Sequence, residues 1–187
     1  MLLAGDVRAN EQVGLTAMHT LFVREHNRLA TLLRQTFLYG SNDDEKLYQM
    51  ARKIVGAEMQ RITYNEFLPL LIGPLYAPSL ETYTGYDPDV NPAIATEFST
   101  VAFRVGHTML SPTLLMMRDE HDEGEEVNPA HAENMSLIEA FFNPGLIMSD
   151  TKNMDVLLAG FCHQNAQPVD PVVIDEVRNF LFGHPDA

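Results

Sequence analysis

Leu15, Met18, Leu21, Phe22, Leu29, Leu32 and Leu33 recur at three- and four-residue steps along the early chain. That spacing lines one stripe of an α-helix and predicts an amphipathic helix over about residues 14–38, broken by Tyr39-Gly40-Ser41. Asn42, with Glu45 three residues on, makes a capping-box-like start, and Asp43 and Asp44 suit the positive end of the next helix. Leu47, Ala51, Ile54, Val55, Met59 and Ile62 carry that second helix, which is expected to end before Pro69. Residues 73–91, rich in Gly, Pro, Tyr and Asp, read as an irregular connection. Asn91-Pro92 then offers an N-cap followed by proline at the first helical position, and Ile94, Phe98, Val101, Ala102 and Val105 continue as an apolar stripe toward Gly106-His107. Shorter helices are expected near 134–141, 151–163 and 172–182. Apolar and polar residues never alternate for long, so the expected fold class is mainly α with little or no sheet. The polar run 119–126 reads as a solvated loop between a first half and a second.

Composition narrows the function classes. With 187 residues, 45% of them hydrophobic, the chain has material for one sizeable domain and is not of disordered composition. No apolar run approaches the ~20 residues that span a bilayer, and Met1 to Asp6 lack the basic and long apolar regions of a signal peptide. Acidic residues outnumber basic ones by 26 to 12, which argues against unaided nucleic-acid binding because that needs a basic footprint. Cys162 stands alone, so an intrachain disulfide and any multi-cysteine metal site are excluded, while the compartment stays open.

The sequence holds no His-Glu-x-x-His, no Glu-x-x-His pair, no EF-hand loop, no phosphate-cradling glycine loop and no nucleophile elbow. His19 and His26 lie seven apart on one helix face, and interhelical hydrogen bonding by packed histidines is the ordinary explanation. Arg24-Glu25-His26-Asn27-Arg28 reads as a half-buried ion-pair network locking helix to helix. His107 ends the apolar stripe, Gly106 removes a side chain beside it, and Arg104 sits three residues back, where a guanidinium can meet a carboxylate. By pattern alone a satisfied core histidine remains the commoner explanation of His107. Arg8 and Glu11 form a polar turn just before the first long helix.

Ala4-Gly5-Asp6-Val7-Arg8-Ala9-Asn10-Glu11-Gln12, the run from Leu15 to Ala30 around His19 and His26, Ala51-Arg52-Lys53-Ile54-Val55-Gly56-Ala57, Ile62 to Pro69 and Ala102 to His107 together resemble the animal-type haem peroxidases of the peroxidase–cyclooxygenase superfamily, in the same order and nearly along the whole chain. The resemblance implies a haem-peroxidase helical domain, of which residues 1–187 form the central part. By that resemblance His107 is the proximal ligand to haem iron, Arg104 pairs with a haem propionate, Arg8 is the distal arginine that polarises peroxide, and Glu11 is the carboxylate that esterifies a haem methyl. Gln12 stands where one branch has a methionine that links to haem, so that third bond is not expected.

The family's distal histidine, its neighbouring aspartate and its calcium loop lie before the Ala-Gly-Asp motif, and the asparagine that orients the proximal imidazole lies beyond residue 187. The implied activity is a haem b peroxidase, taking hydrogen peroxide and a halide or small aromatic donor, with calcium bound elsewhere in the full domain and an extracellular setting. Nucleic-acid partners and a transmembrane segment are not expected, and protein partners are unspecified. A peroxidase-like interaction module with weak or no haem binding is the second reading, and an acidic helical partner-binding domain, resting on the −14 charge alone, is a third.

Overall fold

A computed structural model describes residues 4–37, 43–80, 83–117 and 132–183. The chain divides into two compact units, residues 20–92 and the combination of 1–19 with 93–187. The acidic run 119–126, expected to divide the chain, lies outside the described residues, and the unit borders fall elsewhere because the first turn and the chain after Pro92 share one core.

Helix α1 spans Val13–Phe37, as its stripe predicts. Its Val13 and Ala17 enter the core of the larger unit, whereas Leu29 and Leu33 enter that of the smaller one. Helix α2, Asp44–Ile62, follows from Asp43, and its first turn holds Asp44 and Glu45 where the helix dipole favours negative charge. The expected cap at Asn42 and the break at Tyr39-Gly40-Ser41 lie outside the described residues. Leu47, Ala51 and Val55 pack on Leu29 and Leu33 to make the smaller unit's core. Pro69 does not stop the helical path. A π-turn over Thr63–Phe67 leads into α3, Leu68–Ile72, with Pro69 in its first turn, where a missing N–H costs nothing.

The stripe expected to form one helix from Asn91-Pro92 is instead broken. Residues 91–95 are irregular, α4 covers only Thr96–Thr100, and a 3-10 helix covers Ala102–Met109 after a kink at Val101. Every residue from 93 to 107 is exposed, so no buried stripe holds the segment to α-helical pitch.

Strand β1, Thr113–Met117, pairs antiparallel with β2, Ala132–Ser136, in the register Thr113 to Ser136 and Met117 to Ala132. This ribbon replaces the beginning of the helix expected near 134–141, of which only α5, Leu137–Ala140, forms. Helix α6, Gly145–Met148, is a single turn. Helix α7, Thr151–His163, matches expectation and is capped by Asp150, whose Oδ1 accepts the Lys152 N–H at 2.9 Å. The helix expected over 172–182 is a short π-turn, Glu176–Phe180.

The larger core gathers Val13 and Ala17, Leu114 and Met116, Leu137, Ala140, Ile147, Met154 and Leu157. A Cβ on Gly160 would overlap the Leu115 carbonyl, so only glycine lets α7 lie this close to β1. The Gln164 side chain then closes the strand's open edge, accepting from Leu115 N at 2.9 Å and donating to Thr113 O at 2.8 Å.

Candidate haem-facing site

Asp6 begins the site's first segment. Its extended backbone and a carboxylate accepting the Arg8 N–H at 2.9 Å start a 3-10 turn over Val7–Asn10. Glu11 N–H closes on Arg8 O at 3.0 Å, and the Phe142 N–H donates to Glu11 O at 2.8 Å. Gln12 and Phe141 form an isolated antiparallel bridge beside that bond. Thr16, buried in the first turns of α1, donates from Oγ1 to Ala9 O at 3.0 Å. Both main-chain groups of Glu11 are therefore committed, which fixes where its half-buried side chain starts.

The side chains of this segment form a charged group. Arg8 Nε lies 3.0 Å from both Asp6 oxygens, and Nη2 lies 2.5 Å from Oδ2. Those bonds hold the Asp6 carboxyl down at about 2, from 3.8, with the backbone bond and the charge of His19 adding to the effect. Arg8 is pushed up by the same pair, and the Glu11 charge acts on it in the same direction. In the sequence Asp6 stands out only as part of the Ala-Gly-Asp motif. The Asp-x-Arg spacing was the available signal, since a cap residue reaches the N–H two positions on.

The second segment is the 3-10 helix over Ala102–Met109. With three residues per turn, Arg104 and His107 are eclipsed on one face. Its far end is tied to the chain beyond α7, the Gln167 N–H donating to Met109 O at 2.9 Å. His107 is exposed and thus not a core histidine, and its imidazole has no hydrogen-bond partner among the described residues. Arg104 is likewise exposed and without an ion-pair partner among them. A Cβ on Gly106 would meet nothing within 4 Å, so the space at Gly106 itself is open.

Arg8 with Glu11 and Arg104 with His107 thus form two pairs, both in the larger unit. No hydrogen bond, ion pair or ring contact among the described residues joins one pair to the other. The donor set fits haem: the His107 imidazole could hold the iron, the Arg104 guanidinium could pair with a propionate, and the Glu11 carboxylate stands on the other segment. No group of three or more His, Cys, Asp or Glu that could hold a metal by protein ligands alone occurs among the described residues.

His26 keeps its ordinary role. Its Nε2 lies 3.2 Å from Tyr48 O on α2, and the two rings stand 5.1 Å apart. His19 is exposed and makes no hydrogen bond among the described residues, so the interhelical bond expected of it is not formed there. In the charged run, Arg28 pairs with Glu25 at 2.7 and 2.8 Å one turn away on α1 itself, depressing the Glu25 carboxyl, and only the charge of Glu58 reaches Arg28 from α2. A cavity of about 520 Å³ in the smaller unit is lined by Phe22, Glu25, Ile54, Ala57, Glu58, Arg61 and Ile62, and none of the four site residues borders it.

The family model for the animal haem peroxidase matches residues 1–187. Peroxidasin of Drosophila melanogaster is 45% identical over 159 residues, covering 85% of this chain and 10% of that protein. Myeloperoxidase of Mus musculus is 42% identical over 183 residues, covering 96% of this chain and 24% of that protein. The solved structure of peroxidase A from Dictyostelium discoideum superimposes with a TM-score of 0.78 at 32% identity, over 97% of this chain and 32% of that one. The chain therefore spans between a tenth and a third of the length of these relatives.

Proposed function

This chain belongs to the animal haem peroxidase family, and on that premise we propose that it carries the haem-facing part of a peroxidase that reduces hydrogen peroxide and oxidises a halide or a small aromatic donor. The observation that supports this most is the 3-10 helix of Ala102–Met109. It presents a free imidazole and a free guanidinium on one face, with open space beside Gly106. His107 would hold the haem iron through its imidazole, and Arg104 would pair with a propionate. Haem, when bound, supplies the redox chemistry at its iron.

Arg8 contributes fixed positive charge toward peroxide, stabilising the oxygen that gains negative charge as the O–O bond breaks. It does not take the peroxide proton, because a guanidinium stays protonated at working pH. That proton goes to a base outside these residues, the family's distal histidine. Glu11 would supply the carboxylate for an ester to a haem methyl. Calcium binding belongs to a part of the domain outside this chain, and an extracellular setting follows from the same family reading. Among the described residues no helix is long and apolar enough to cross a membrane.

The test uses the full protein that carries this chain, loaded with haem. The expected result is a Soret band that His107→Ala shifts or abolishes and that Arg8→Gln leaves in position. Arg8→Gln should instead slow the reaction with peroxide by about 10²–10³-fold, the usual loss when one preorganised charge donor is removed. No Soret band in the wild type would leave a peroxidase-like interaction module in place of the enzyme.

A further inference from the structure

Among the described residues, Arg8 makes all its side-chain hydrogen bonds to one partner. Its Nε proton is shared between the two Asp6 oxygens at 3.0 Å each, and one Nη2 proton goes to Oδ2. The same carboxylate also accepts the Arg8 backbone N–H at 2.9 Å, so it fixes the main chain and the head group of one arginine together. The Ala9 N–H donates to Asp6 O at 3.1 Å and holds the Asp6 backbone in place as well. The side chains are 76% and 52% exposed for Arg8 and Asp6, so packing does little to orient the guanidinium.

From this geometry we infer that Asp6 is a positioning residue for Arg8, committing the Nε–Nη2 edge and leaving the Nη1–Nη2 end to face a two-oxygen ligand. The inference rests on the reading of Arg8 as the peroxide-facing arginine. Both Nη1 protons and the second Nη2 proton remain available, and they form the fork that meets two adjacent oxygens at once. Asp6 therefore has two opposed effects. It aims the fork, which favours a reaction that needs alignment, and its negative charge next to Arg8 weakens the attraction for a simple anion.

Those opposed signs give the test. In the haem-loaded full protein, Asp6→Asn keeps a good N-cap and removes the charge, and Asp6→Ala removes both. Both variants are expected to keep the wild-type Soret band, to slow the bimolecular reaction with hydrogen peroxide by about tenfold through lost alignment, and to bind azide, read as a Soret shift, about threefold more tightly through lost repulsion. Asp6→Glu, with charge kept and reach altered, should slow peroxide without tightening azide. A merely structural role would lower both or neither. Unchanged peroxide and azide behaviour in Asp6→Asn and Asp6→Ala, with Arg8→Gln strongly slowed, overturns the inference and spares the role of Arg8. If Arg8→Gln reacts with peroxide as the wild type does, the role of Arg8 and the inference fall together.

Discussion

At the scale of single residues, the ion pair between Asp6 and Arg8 has a pH signature whose sign can be worked out. The Asp6 carboxyl sits at about 2 in the folded chain against 3.8 without its partners. A carboxyl depressed by folding contributes stability that is fully present above its unfolded value and is lost as pH falls through the folded one. The contribution of Asp6 is therefore complete above pH 3.8 and fades toward pH 2. Because the pair stands in water, the effect is small and shrinks with salt. The melting-temperature difference between the wild type and Asp6→Asn should be present at neutral pH, close across that window and diminish at high salt. A difference that stays constant from neutral pH to below pH 2 would rule out this pair as its source. Arg8, Glu11, Arg104 and His107 stand out as candidates in the sequence because each lies in a distinctive motif. Asp6 is less legible, because the Asp-x-Arg spacing hints at a cap but its contact with Arg8 depends on an extended backbone at φ −126° and ψ 122°, which no periodicity announces.

Elements were legible where burial enforces a period. Helix α1 and helix α7 run within a residue of expectation because both carry a stripe that ends in a core. The apolar residues Ile94, Phe98, Val101 and Val105 have the same spacing yet are all exposed, so the stripe has no core to order it and the path breaks at Val101. That break has a consequence for the site, because the 3-10 pitch eclipses Arg104 and His107 where an α-helix would offset them. Strand β1 was missed for a different reason. Thr113-Leu114-Leu115-Met116-Met117 is nearly all apolar, and a short buried run does not distinguish strand from helix. Its strand identity comes from distant partners, β2 and the Gln164 side chain. The tight approach of α7 to β1 predicts contrasting outcomes for two helical glycines. Gly160→Ala should destabilise by about 1–3 kcal/mol, since the new methyl meets the Leu115 backbone. Gly56→Ala, with nothing within 4 Å on α2, should stabilise by about 0.5–1 kcal/mol. Denaturant midpoints of the two variants check both signs, and a neutral Gly160→Ala would mean that the strand yields freely.

At the scale of the molecule, the two cores share no residue. Val13, Ala17, Met154 and Leu157 belong to one, and Leu29, Leu33, Leu47, Ala51 and Val55 to the other. Both segments that carry the four candidate residues belong to the larger unit, the first tied through Glu11 O to Phe142 and through Ala9 O to the buried Thr16, the second through Met109 O to Gln167. Stability of the two candidate segments is thus expected to follow that of the larger unit. Truncating a fully buried leucine costs about 2–5 kcal/mol, and the loss appears first in the cooperative unit that contains it. Leu157→Ala, at 0% exposure, should lower amide protection across β1, α7 and the turn of Val7–Asn10, and should release haem more readily from the loaded protein. Leu47→Ala, at 2% exposure, should lower protection in α2 and the second half of α1 while haem retention stays near wild type. Hydrogen exchange read by mass spectrometry separates the two patterns. Equal loss of protection in both units from either variant would mean that α1 couples them into one cooperative body, and haem retention would then fall with both substitutions.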